Sequence, residues 1–137
     1  MGINGMLNHT FLLLTRQNFE SLVENYRKAN LYYEPEVFKK ISISDDIILS
    51  TVKLLKNIKT RNYKDEQDCR GLEYYGITII YPENLTEFKK VFTYVNENIK
   101  EYSTFCRRKR IKKEVELFTL FLQEGIENKL YMVHNGI

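Results

Sequence analysis

The chain has 137 residues, 43% apolar and 28% charged, with a formal charge of +3. That length fits one domain with its own core, and the composition lies outside the disordered class. No apolar run approaches the ~20 residues that a membrane-crossing helix needs.

Taken in chain order, Phe11–Leu14 is a short apolar run whose length does not separate a buried strand from the start of a helix. Thr15 is an N-cap candidate. Phe19, Leu22, Val23, Tyr26 and Ala29 behind it follow the spacing of an amphipathic helix. Asn30 and the Tyr32-Tyr33 pair close it. Pro35 is placed for the first turn of a new helix. Ser44 with Asp45-Asp46 supplies a cap and first-turn carboxylates for another, striped by Ile48, Val52, Leu55 and Ile58 and ending near Thr60.

Residues 60–70 lack apolar periodicity and read as an exposed loop closed by Gly71. Leu72–Tyr81, rich in β-branched and aromatic residues and ended by Pro82, reads as a strand. Asn84 and Glu87 have capping-box spacing. They open a helix with apolar positions Leu85, Phe88, Val91, Phe92, Val95, Ile99 and Tyr102. A further helix carries Ile111, Val115, Phe118, Phe121, Leu122 and Ile126, and Leu130–His134 reads as a last strand. The expected architecture is a single α+β, helix-rich domain over residues 1–137, with about four helices and a small sheet of two or three strands.

Charge is concentrated. Arg107, Arg108, Lys109, Arg110, Lys112 and Lys113 put six cations into seven positions, so the other 130 residues are net −3. At about 100° per residue these cations point all round a helix. Arg107 and Arg108 fall in the arc of the apolar stripe, so they require solvent or a carboxylate partner. Such a block fits contact with phosphates or with an acidic protein.

Other chemistry is sparse. His9, Cys69, Cys106 and His134 match a zinc site in number but lack its close pairs, so neither metal nor cofactor is expected. Cys106 beside Arg107 and Arg108 has the surroundings that lower a thiol pKa, without an oriented base. No phosphate loop, nucleophile elbow, dinucleotide fingerprint or His-Glu-x-x-His is present, which argues against an enzyme. Two cysteines, and an amino terminus without leader features, lead to the expectation of a cytoplasmic protein with free thiols. Tyr63, Tyr74 and Tyr75 stand near the acidic Asp65, Glu66, Asp68 and Glu73, a mixture favoured at protein interfaces.

Lys, Ile, Asn and Tyr fill 49 positions, while Ala occurs once and Trp never. Their codons point to an AT-rich gene, as in low-GC bacteria, phages and mobile islands. Size, motif-free character and the Tyr-bearing charged loop over 60–75 resemble small bacterial toxin-immunity proteins, including those of contact-dependent growth inhibition. The resemblance is one of style across the whole chain, without a matched residue motif. It implies a partner that is another protein, a toxin domain neutralised by direct binding. Asp65, Glu66, Asp68 and Glu73 would face a basic toxin site, or residues 107–113 an acidic one. The alternative is a nucleic-acid-binding regulatory protein using Arg107–Lys113 on phosphates. No membrane partner is expected.

Overall fold

A computed structural model describes residues 7–136; the amino-terminal segment read for a leader, and Ile137, lie outside them. The strands are β1 (Asn8–Leu14), β2 (Lys39–Ser44), β3 (Lys59–Asn62), β4 (Asp68–Arg70), β5 (Ile77–Ile80) and β6 (Tyr131–Asn135). The helices are α1 (Arg16–Arg27), α2 (Asp45–Leu55), α3 (Leu85–Glu97), α4 (Ile99–Tyr102) and α5 (Arg108–Glu127). All strands pair antiparallel in one sheet, ordered β2-β1-β6-β5-β3-β4. Among the described residues, no helix is long and apolar enough to cross a membrane.

Alternation along the strands sorts the two faces. Phe11, Leu13, Ile43, Ile80 and Met132 pack under α2, α3 and α5. Leu14, Ile79 and Val133 pack under α1, whose Phe19, Leu22, Val23 and Tyr26 cover them. Thr15 caps α1 as its type demands, its hydroxyl accepting from the Asn18 N–H at 3.3 Å. At the centre of the three-helix layer Phe118 meets Phe11 and Phe92 with ring centroids 4.7 and 4.6 Å away.

Among the described residues the α+β fold thus has five α-helices and a six-stranded sheet, in place of about four helices and two or three strands. Three local features account for the difference. Residues 39–44 form β2, and no helix starts at Pro35: Ile41 and Ile43 alternate with Ser42 and Ser44, which is a strand period. Residues 60–70 form most of a hairpin. Its strands are short and polar, so pairing and not burial defines them, and the turn is closed by the Glu66 N–H donating to Asn62 O at 2.8 Å. Thr60, expected at a helix end, sits buried in β3 and donates its hydroxyl to Gly71 O. Gly71 is required there: its φ is +68° and a Cβ would lie 2.9 Å from Lys56 Cα.

The strand expected over Leu72–Tyr81 keeps only its second half, because the 73–76 segment turns through a Gly76 N–H to Glu73 O bond. The long helix from Leu85 breaks at Asn98 into α3 and α4, where backbone φ −118° and ψ 37° leave the helical range.

Phe118→Ala is expected to lower stability by about 3–5 kcal/mol, the range for truncating a buried aromatic. The shift of the urea midpoint at constant slope checks it.

Candidate functional site

The junction of β2 with α2 gathers most of the polar chemistry. Odd-numbered residues of β1 and even-numbered residues of β6 face the same helix layer, so His9 and His134 stand side by side there, both fully buried. Their rings stack at 5.0 Å, and His9 Nδ1 lies 2.8 Å from His134 Nε2. His9 Nε2 is 2.9 Å from Asp45 Oδ1, and the Tyr74 hydroxyl donates to the same oxygen. Asp45 therefore serves as anchor for two strands and the 72–76 turn, beyond its place in the first turn of α2.

A carboxylate only accepts, so His9 presents Nε2–H to Asp45. One proton joins His9 Nδ1 to His134 Nε2, and His134 Nδ1 is buried without a partner among the described residues. Burial, with His9 as the lesser cause, pushes His134 down to about 3, so it stays neutral at physiological pH. The bond to Asp45, with desolvation behind it, raises the Tyr74 phenol to about 12. Closed imidazoles cannot reach a substrate atom, which general acid–base work demands. This chain of groups holds the fold together.

Asp46, next along, receives the basic segment. Arg110 Nη2 donates to Asp46 Oδ2 at 2.6 Å and Arg107 Nη1 at 3.3 Å, while Arg110 also donates to Glu114. Burial works to raise the Asp46 carboxyl, but its contacts with Ser44 and Arg110 outweigh that and hold it below the ordinary carboxylate range. Glu114 accepts from both the N–H and the hydroxyl of Ser44. Ser44 thus occupies the cap position of α2 without bonding into it. Arg108 lies over the Phe105 ring at 5.5 Å. Lys109, Lys112 and Lys113 are exposed, with no carboxylate within 4.0 Å among the described residues.

The hairpin β3–β4 and the 72–76 turn bound an open groove of about 560 Å³. Arg61, Tyr63, Lys64, Arg70, Glu73 and Tyr75 line it, together with Cys69. Tyr75 is 75% exposed, whereas its neighbour Tyr74 turns inward to Asp45. Tyr63 packs edge-on against Tyr26 of α1 at 5.4 Å.

The structure brings Tyr63, Glu73 and Tyr75 together, and it engages the other acids of this loop internally. Asp65 accepts from the Gln67 N–H. Glu66 accepts from Arg27 at 2.9 Å and from the Tyr81 hydroxyl at 2.5 Å. Asp68 pairs with Lys59 and Arg61. Cys69 and Cys106 are free thiols, in β4 and ahead of α5, far in the strand order or chain from the paired imidazoles.

Sequence reading missed the His9–His134–Asp45–Tyr74 chain and the groove cations Arg61, Lys64 and Arg70. The histidines are 125 residues apart, so no spacing reveals them. Their strand phase was the one available signal, each lying two residues from a core position (Phe11, Met132).

Comparison with protein-family models, with curated proteins and with solved structures found no match.

Asp45→Asn should lower stability by about 1–3 kcal/mol, the range for leaving buried polar groups badly matched. It should also return the Tyr74 phenol toward the ordinary value near 10, read by ultraviolet titration against a Tyr74→Phe control. Acid acts through His134. Its folded pKa is depressed, so the stability it contributes is complete above the unfolded value near 6.5 and declines as pH falls toward 3. His134→Phe is expected to flatten that part of the stability–pH curve, measured as urea midpoints between pH 7 and 4.

Proposed function

We propose that the protein is a binding module for another protein and that the β3–β4 groove with its tyrosine rim is the contact surface. The observation behind this reading is the company Tyr75 keeps. A mostly exposed tyrosine stands at a groove that also holds Tyr63, Arg61 and Arg70. Tyr and Arg are the side chains that dominate the energy of protein interfaces, because each brings broad contact area with a polar end. Lys64 and Glu73 supply charge of both signs nearby, which suits selection between partners.

The partner class that fits the resemblance is a toxin domain, neutralised by direct occlusion in the manner of immunity proteins. Glu73 lines the groove itself while Asp65 and Asp68 stand exposed beside it, and the cations of the groove favour an acidic segment on the toxin. The nucleic-acid alternative is weaker, since Arg110 is paired with Asp46 and Glu114 and Arg107 shares Asp46. Contact through the remaining Arg108, Lys109, Lys112 and Lys113 would give a shallower salt dependence than the whole block.

Co-expression with the product of the neighbouring reading frame tests the proposal. Survival and a stable complex are expected, with Tyr75→Ala or Arg70→Ala weakening the complex about tenfold or more. No complex, or one indifferent to both substitutions, refutes it.

A further inference from the structure

Helix α5 is basic in its first turns and acidic from Glu114 onward, with Glu124 and Glu127 in its last turns. Arg108, Lys109, Arg110, Lys112 and Lys113 fill its first turns, and Glu114, Glu116, Glu124 and Glu127 are its remaining charges. Between Lys113 and Glu124 the side chains of Leu117 and Leu120 stand out from the surface, 48% and 63% exposed. They share a hollow with Ile41 of β2. Strand β2 runs antiparallel to α5, as the Lys39–Glu124 pair at one end and the Ser44–Glu114 bonds at the other establish.

Among the described residues β2 is also an outer strand, paired only with β1. The Asp45 N–H donates to Leu7 O. By antiparallel alternation, odd-numbered residues therefore bond toward β1, and the N–H and C=O groups of Lys40, Ser42 and Ser44 point outward. Glu114 takes the outward N–H of Ser44. Lys40 and Ser42 are left as a short open edge beside two exposed leucines.

We propose that this face binds a second copy of the chain about a two-fold axis, with β2 antiparallel to β2 and α5 antiparallel to α5. A two-fold interface must complement itself, and the two charge blocks do so in this orientation alone. An axis between Leu117 and Leu120 sets each leucine against the other's counterpart. It also brings Lys113 toward Glu124 and Lys109 toward Glu127 of the second copy. On the strand, an axis at Ile41 exchanges Lys40 with Ser42, which lets both residues bond across the edge. Ile41, Leu117 and Leu120 line one hollow, so a single axis can serve strand and helix.

The spacing is compatible. Paired strands lie about 4.8 Å apart and packed helices 8–10 Å, so α5 must sit back from the edge. Half that helix spacing puts α5 about 2 Å behind β2, where its bonds to Ser44 and Lys39 of β2 and the tilted contact of Phe118 with Phe11 of β1 hold it. A nucleic acid or an acidic protein would complement the basic block and be repelled by the acidic one. The second copy complements both, and this inference is independent of the groove.

Sedimentation velocity of the purified chain over a range of concentrations tests it. A dimer is expected, and Leu117→Glu with Leu120→Glu should make it monomeric with an unchanged far-ultraviolet spectrum. Ser42→Pro should do the same, because it removes an outward N–H and leaves the ladder to β1 intact. Lys109→Glu should raise the dissociation constant about tenfold, and adding Glu127→Lys should restore it. A monomer at every concentration, a dimer indifferent to these changes, or failure of the charge exchange to restore association would overturn the proposal.

Discussion

The Asp45 carboxylate ties the molecule together at the point where β2 becomes α2. Through His9 it holds β1, through His9 and His134 it holds β6, and through Tyr74 it holds the turn leading to β5. A helix start is an electrostatically favourable place for a negative charge, so the same group that suits the helix dipole also orients the first of two buried, hydrogen-bonded imidazoles. Buried polar groups of this kind contribute more to choosing one arrangement than to net stability. Here the arrangement chosen is the relative position of three strands and one helix.

Asp46 repeats the principle on the surface. A block of six cations in seven positions resists close packing, since like charges repel and a helix amino terminus is already positive. Arg110 and Arg107 are reconciled with the fold by converging on this carboxylate and on Glu114. Removing those carboxylates would leave the start of α5 with charge it has no means to place. The adjacent acids of α2 thus divide their work, one inward and one outward.

Local periodicity made α1, the body of α5 and β6 readable from sequence, because each has a clear apolar stripe or run with a cap or turn beside it. The alternation in β2 was legible but was passed over for a helix start at Pro35, whereas β3 and β4 were unreadable for the opposite reason. β3 and β4 are three or four residues long and largely polar, and their identity lies in a partner strand that no short window contains. The site divides in the same way. The tyrosines and the basic block were visible as composition, but the bonds that Asp65, Glu66 and Asp68 make, to a turn N–H, to Arg27 and Tyr81, and to Lys59 and Arg61, were not. The paired histidines were invisible because their meaning is a register between the first and last strands.

That register has a bearing on how the chain reaches its fold. β6 comes last in sequence yet lies between β1 and β5. Until residues 131–135 have been synthesised, the β2–β1 ribbon and the β5–β3–β4 meander are two separate pieces, each with an unfilled side. Insertion of one five-residue segment joins them, and this long-range closure sets a slow and cooperative assembly, during which both pieces expose strand edges that chaperones or neighbouring chains can capture.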